Sequence, residues 1–441
     1  MTKKYQTQAF DTSALAVPEQ VSVAMADIAV DMQEGLLALA VGAGLQVMSA
    51  LMGADVTAVA GPRGRHNPDR AAVRHGTETG SVTLGGRRVA VERPRVRAAD
   101  GSGELSVPAY DLFSSTEILG KMAMERMLAG LSTCRYGVGL EPVGAHVEQG
   151  ATATSRSAVS RRFVKMTETA LADLLAADLS DLDLVALMVD GVHFAESCCV
   201  VALGIDIDGT KHPLALIWGY LPLAGEGSTE NATLVTELCV GLRERGLNVT
   251  RPVLLVLDGS KALHRAVLDV FDHPVLARCQ LHKIRNVKDH LPQRMRTTVK
   301  RRMRTAYHAG SALEAESALT ALARELDKTH PSAANSVREG LTETLTVLAL
   351  DVPPTLARTL RSTNAIESMI GICRERSKNV KRWRDGTMAL RWCAAGMVEA
   401  SKQFRRVNGH LHLPALRTAL ERHVAEHTVG TDRHHETVNA A

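Results

Sequence analysis

A chain of 441 residues has room for two to four domains and a sizeable core. Apolar residues make up 45% and charged residues 23%, ordinary for a soluble globular protein, and a net charge of +4 says little about partners. The seven cysteines are odd in number and contain no Cys-x-x-Cys pair, which excludes a disulfide framework and a zinc ribbon and suits a reducing cytosol. Aromatic residues are only 3%, so the core must rest on Leu, Val, Ala and Met.

In chain order, the first residues contain no signal-peptide core, and 18–53 predicts one or two amphipathic helices. The uncharged window 36–54 approaches the length of a membrane span. Its glycines, Gln46 and Ser49, with Asp27, Asp31 and Glu34 ahead of it, point instead to a buried helix and no membrane partner. A breaker-rich basic linker follows at 61–68. Two short alternating runs, 80–84 and 87–91, then flank Gly85-Gly86 and predict a β-hairpin. Its Arg87 and Arg88 would lie along a phosphate backbone or form the wet face of a small sheet.

From 116 to 179 the pattern is helical. A joint near Gly137–Gly139, a short helix near 142–148 and a third helix opening at Ser155, Arg156, Ser157, Arg161 and Arg162 have the layout of a helix-turn-helix. The alternative is a plain helical bundle with polar caps. Basic runs at 61–97, 294–304 and 374–384 suit an extended polyanion, although each alone also reads as solvated surface.

The central unit predicts strands at 184–190, 198–205 and 212–218, then a helix capped by Ser228 or Thr229. A strand at 253–258, a helix at 260–271 and a strand at 274–278 follow. This order gives an α/β mixed sheet flanked by helices, and no Gly-rich loop marks a P-loop or dinucleotide enzyme. Helices at 294–309, 311–328 and 333–350 form an all-helical insert before a helix carrying Glu367. A last helical stretch spans 388–404, and the His-rich end reads as frayed.

Asp190 and Asp258 each close an apolar strand, and Glu367 lies just inside its helix. Three carboxylates converging from separate elements would anchor hard divalent cations for phosphodiester chemistry. Singly, each has a structural reading: Asp190-Gly191 and Asp258-Gly259 are turn dipeptides, and Asn364-x-x-Glu367 fits a capping box. Cys279 and His282 sit three apart but lack further zinc ligands nearby, leaving packing or a place by the scissile phosphate. His193 is a weaker candidate for that place. Trp383, amid Lys381 and Arg382, would stack on an unpaired base or anchor the glutamate helix.

Several stretches carry a resemblance: Asp190-Gly191, Ala202-Leu-Gly-Ile-Asp-Ile-Asp-Gly209, Gly227-Ser-Thr-Glu-Asn231, Leu242-Arg-Glu-Arg-Gly246, Asp258-Gly259, residues 278–287 and Ser362-Thr-Asn-Ala-Ile-Glu-Ser368. They resemble the mutator-type transposases of bacterial insertion sequences, in the DDE superfamily with a ribonuclease-H-like core. Residues 218–226 depart from that pattern. The resemblance implies Asp190, Asp258 and Glu367 as catalytic acids holding two Mg²⁺ or Mn²⁺ ions, with Cys279 and His282 as a Cys-x-x-His element. Arg285 and Asn364 fall within its motifs, near the site or the DNA phosphates.

The expected function is to bind the terminal inverted repeats, free a 3′-hydroxyl and join it to target DNA as a homodimer, by a copy-out route through a circular intermediate. A structure-specific nuclease or resolvase and a non-catalytic repressor are the alternatives. The expected divisions are 1–60 (helical, dimerisation), 61–110 (basic hairpin), 111–180 (helix-turn-helix-like), 181–291 (core, first part), 292–355 (helical insertion), 356–422 (core completion) and 423–441 (disordered tail).

Overall fold

The computed structural model describes residues 35–65, 70–194, 197–219 and 229–438. Outside them lie the start of the helix expected from residue 18, part of the basic linker, the Ser228 cap and the divergent stretch after strand three. The chain forms two compact units, one up to Met166 and one from Thr167 onward.

The first unit is built on a hairpin. β1 (Ala72–Leu84) and β2 (Arg87–Ala98) pair antiparallel with Leu84 opposite Arg87, and β3 (Glu104–Leu105) adds to β2. Gly85 and Gly86 turn the chain with φ of 53° and 82°. That left-handed pair lets a two-residue turn match the twist of its strands. The hairpin outruns its predicted length because pairing continues past a bulge between Arg74 and Thr77.

The helix Leu36–Ala60 lays Met48, Met52, Val56 and Ala60 against Val82, Val96 and Val107. Its i, i+4 spacing buries one stripe only. Val47 and Leu51 stay 60% and 47% exposed, so the expectation of a buried helix holds for a single face. By length and composition its stretch Ala38–Ala60 is apolar enough to cross a membrane. Helices Pro108–Ser114, Glu117–Leu128, Ala145–Gln149 and Arg156–Ala176 follow. The predicted unbroken helical run is interrupted by irregular chain and a short turn at Gly137–Gly139, bracketed by Gly130 and Gly144 at φ of 105° and 91°.

The second unit is centred on a five-stranded mixed sheet. β4 (Leu184–Phe194), β5 (Ser197–Asp206) and β6 (Lys211–Gly219) form an antiparallel meander. β7 (Val253–Leu257) and β8 (Pro274–Arg278) join it in parallel. The central strands are apolar on both faces because both are covered. Leu187, Val189, Leu255 and Leu257 pack with the helices Thr229–Glu244 and Lys261–Val270. Ala186, Met188, Leu254 and Val256 pack with Asn364–Ser377, Gly386–Ser401 and Leu413–Val438. Each fully buried Leu or Val here contributes about 1.5–3 kcal/mol of burial.

Between β8 and the Glu367 helix lie Gln280–Asp289, Gln293–Ala306, Ala312–Asp327, Pro331–Arg338, Leu341–Ala349 and Pro354–Leu360. The first five share a core that includes Val287, Met303, Leu319, Leu322 and Val337, whereas Leu356 and Leu360 of the last join the core under the sheet. The helix predicted at 333–350 is two, because Gly340 takes a left-handed φ of 59° between them. The end predicted to fray is a continuation of the helix Leu413–Val438, seeded by buried Leu413, Leu416 and Leu420.

Candidate active site

β4 does not stop at Asp190. Gly191 pairs with Val200, and the strand continues to Phe194 opposite Ser197, so Asp190-Gly191 is no turn. What ends at this level is the parallel neighbour. Carrying the Met188–Val256 register two residues on sets Asp190 beside Asp258, one residue beyond β7. Neighbouring strands lie about 4.8 Å apart. Alternation places both aspartates on the face shared by Ala186, Met188, Leu254 and Val256. Ile366, Met369 and Ile370 of the Glu367 helix pack into that same core.

Local bonds hold each acid. Asp190 Oδ1 accepts the Gly191 N–H at 2.7 Å, and Asp258 Oδ1 accepts the Ser260 N–H at 2.8 Å. Thr363, not Asn364, is the N-cap of the Asn364–Ser377 helix, and it makes no side-chain capping bond. Its Oγ1 instead donates to Glu367 Oε1 at 2.7 Å, which replaces the capping-box arrangement. Burial pushes the Asp190 carboxyl up to about 6. The Gly191 N–H and His282 oppose the rise, and the charges of Asp258 and Glu367 add to it. The charges of both other acids therefore reach Asp190.

Cys279, His282 and Glu367 offer ligand-type atoms all within 4.8 Å of one another. Thr363 ties them together: its Oγ1 lies 3.3 Å from Cys279 Sγ and 3.3 Å from His282 Nδ1, and its N–H donates to the same sulfur at 3.4 Å. Burial raises the Cys279 thiol, but hydrogen bonds with His282 and Thr363 carry it below its ordinary value. The bond to Cys279 lifts His282, against burial and with help from Glu367 and Asp190. The Cys279 N–H also donates to Leu257 O at 2.8 Å, stitching this group to the end of β7.

Arg278 locks the Asp258 turn. Its buried guanidinium donates to Gly259 O at 3.4 Å and to Glu339 O at 3.3 Å. It fills the space where a Cβ on Gly259 or Gly340 would stand. Gly259 also holds a left-handed φ of 103°. Neither Thr363 nor Arg278 was singled out from the sequence. Both lie inside the motifs that carry the resemblance, but only the packing reveals their contacts.

Other predicted positions scatter. Alternation along β4 sends His193, which is exposed, to the face opposite Asp190. Arg285 and Asn364 are exposed near the cluster in sequence, as are Lys381 and Arg382. Trp383 packs on Phe194 of β4 at 4.9 Å and on Trp392 of the helix Gly386–Ser401 at 6.4 Å between ring centroids. In the first unit, Ser155, Arg156, Ser157 and Arg161 are exposed at the start of their helix. Arg162 is half-buried and donates to Ala153 O at 2.6 Å. Arg87 is buried, donating to Glu141 O at 2.7 Å and pairing with Glu148 at 2.9 Å, so it lies neither on a wet face nor along an accessible one. Arg88 spends its guanidinium on Ser81, Thr83 and Ser114.

A strand pair presenting two acids to a helix that presents a third is found in a chain with known kin. The family model described as Transposase, Mutator family, matches residues 19–407. The chain belongs to that family. Among similar curated proteins is the transposase for insertion sequence element IS6120 of Mycolicibacterium smegmatis, 30% identical over 55% of this chain and 72% of that protein. The transposase for ISRM5 of Rhizobium meliloti is 25% identical over 84% of this chain and 90% of its own length. A probable insertion-sequence transposase of Corynebacterium diphtheriae is 29% identical over 49% and 61%.

Proposed function

We propose that the protein is a DDE-type, metal-dependent DNA transposase that binds the terminal inverted repeats of its own element, hydrolyses a phosphodiester to free a 3′-hydroxyl, and transfers that hydroxyl to target DNA. What supports the reading is that the Met188–Val256 register, carried on, sets Asp190 beside Asp258, that the Glu367 helix packs on the same sheet face, and that the charges of Asp258 and Glu367 both bear on Asp190. The strand order β6-β5-β4-β7-β8, antiparallel on one side and parallel on the other, supports a ribonuclease-H-like reading of the core.

The donor set fits a hard divalent cation. All three groups are carboxylates, and Asp190 is raised by burial first and by the charges of Asp258 and Glu367 after it. Asp190, Asp258 and Glu367 would hold Mg²⁺ or Mn²⁺, two ions in the reading favoured here. Bound there, the ions would supply activation of the attacking oxygen and stabilisation of the leaving one. The chain's own residues set the stage. Thr363 aims one Glu367 oxygen, Arg278 and Gly259 hold the Asp258 turn, and His282 offers a proton-bearing ring beside Glu367, with 3.8 Å between Nδ1 and Oε1.

In the first unit, exposed Ser155, Arg156, Ser157 and Arg161 at a helix N-terminus suit terminal-repeat DNA. Juxtaposing two element ends calls for a homodimer, and the family resemblance favours a copy-out route.

The test is purified protein with Mg²⁺ and labelled terminal-repeat DNA. Strand-transfer products are expected. Cleavage without joining would mean a nuclease or resolvase, and a mobility shift alone a repressor. Glu367→Gln should retain DNA binding within about threefold and lose cleavage by at least a hundredfold; cleavage at the wild-type rate would overturn the assignment.

A further inference from the structure

The helix Gln293–Ala306 carries six cations, Arg294, Arg296, Lys300, Arg301, Arg302 and Arg304, and no acid. One stripe of it, Val299, Met303 and Ala306, is buried in the core of the helical insert. The cations are sorted by what they touch. Arg302 is spent on a two-pronged pair with Glu325, and Arg296 donates to Leu291 O at 2.9 Å. Lys300, Arg301 and Arg304 have no carboxylate partner among the described residues.

These three, with Thr297, Thr305 and His308, line an open groove of about 580 Å³. Positions 297, 300, 301 and 304 fall on one helical stripe, about 10 Å long at 1.5 Å per residue, and His308 lies just past the helix end. Laid along the duplex axis, a stripe of about 10 Å spans about three successive phosphates of one strand at roughly 3.4 Å each.

The charges of Arg304 and Arg358 both bear on Arg361, which burial and these like charges hold below its ordinary value. Arg361 O accepts the Gln280 N–H at 3.0 Å, and the chain reaches Thr363 two residues later. Like charges held together without acids are a cost to the free protein that a polyanion would relieve.

We propose that Lys300, Arg301 and Arg304 of the helical insert form a second DNA-binding surface, separate from the helix-turn-helix-like region, that grips the phosphate backbone of the duplex flanking the scissile phosphate. This rests on the reading of the protein as a DNA transposase. The contact is to phosphates, so it is indifferent to base sequence and steep in salt. The duplex in question is either the donor flank beyond the element end or the target, and both present the same chemistry.

The experiment compares the full-length wild type with K300E/R301E/R304E and with K300Q/R301Q/R304Q, the latter keeping helix-forming residues on the exposed face. Three DNAs are used: the terminal repeat alone, the repeat with 20 base pairs of flank, and a pre-cleaved end with target duplex. Affinity for the bare repeat should stay within about twofold in both variants. Loss of at least tenfold in affinity for flanked DNA, with the salt slope falling by about 2–3, supports the donor flank as occupant. Normal binding of flanked DNA with at least tenfold less strand transfer by the pre-cleaved end supports the target. If the glutamine variant, folded by its wild-type melting temperature, binds and joins all three DNAs as the wild type does, the surface is refuted. A wild type that cuts no DNA in Mg²⁺ would instead sink the transposase reading itself.

Discussion

Burial, with the charges of Asp258 and Glu367, keeps the Asp190 carboxyl protonated up to about pH 6, against an ordinary value near 4. The sign of its effect on stability follows. The folded state binds this proton more tightly than the unfolded chain does. Asp190 is therefore neutral in its effect below about pH 4, costs stability as pH rises towards 6, and costs its full amount above that. A shift of about two units corresponds to roughly 3 kcal/mol. Asp190→Asn keeps an oxygen for the Gly191 N–H and removes the charge. It should stabilise the metal-free protein by about 1–3 kcal/mol at pH 8 and by nothing near pH 4. Urea denaturation in a chelator at the two pH values measures this, and equal effects at both would show that Asp190 does not crowd its neighbours. The aspartates were legible in the sequence as the acids closing two apolar runs. Their electrostatic coupling was not, because it arises only when two segments far apart in sequence become adjacent strands.

At the scale of elements, the Asp258 turn depends on a contact that crosses three segments. Arg278 at the end of β8 wedges between Gly259 and Gly340, and both glycines take left-handed φ values of 103° and 59°. A side chain at 259 would be strained by its backbone and would displace the guanidinium. Gly259→Val should cost about 2–4 kcal/mol in stability and lower DNA cleavage by at least tenfold while leaving terminal-repeat binding within about threefold. A variant with wild-type cleavage would show that the turn does not position Asp258. The strands themselves were easily read, since 274–278 and 253–258 are short continuous apolar runs. The far end of β4 was misread because Asp190-Gly191 looks locally like a turn, whereas pairing with β5 carries the strand four residues further. The His-rich end continues the helix Leu413–Val438, which is started by leucines buried against the sheet, and local composition says nothing of that.

For the whole molecule, the proposed cations should act as a clamp joining the β4–β7 strands to the Glu367 helix. A ligand that binds only the folded state raises stability by RT ln(1 + [L]/Kd). Mg²⁺ at a hundred times its dissociation constant should therefore add about 2.7 kcal/mol. Thermal melting of the full chain should show a rise of several degrees with Mg²⁺, abolished by Asp258→Asn; an equal rise in that variant would place the ion elsewhere. The described part of the helix Leu36–Ala60 belongs to this scale too. Its composition predicted burial, yet the hairpin covers only the Met48, Met52 and Val56 stripe.

The order of elements, the candidate acids and the family likeness were legible in the sequence alone, because apolar periodicity and motif spacing are local properties. Which face each acid shares, which arginines are spent inside the fold and which stay free for an anion were decided by tertiary structure. Burial and pairing are set by neighbours that lie dozens to hundreds of residues away along the chain, as Arg278 with Glu339 and Thr363 with Cys279 show.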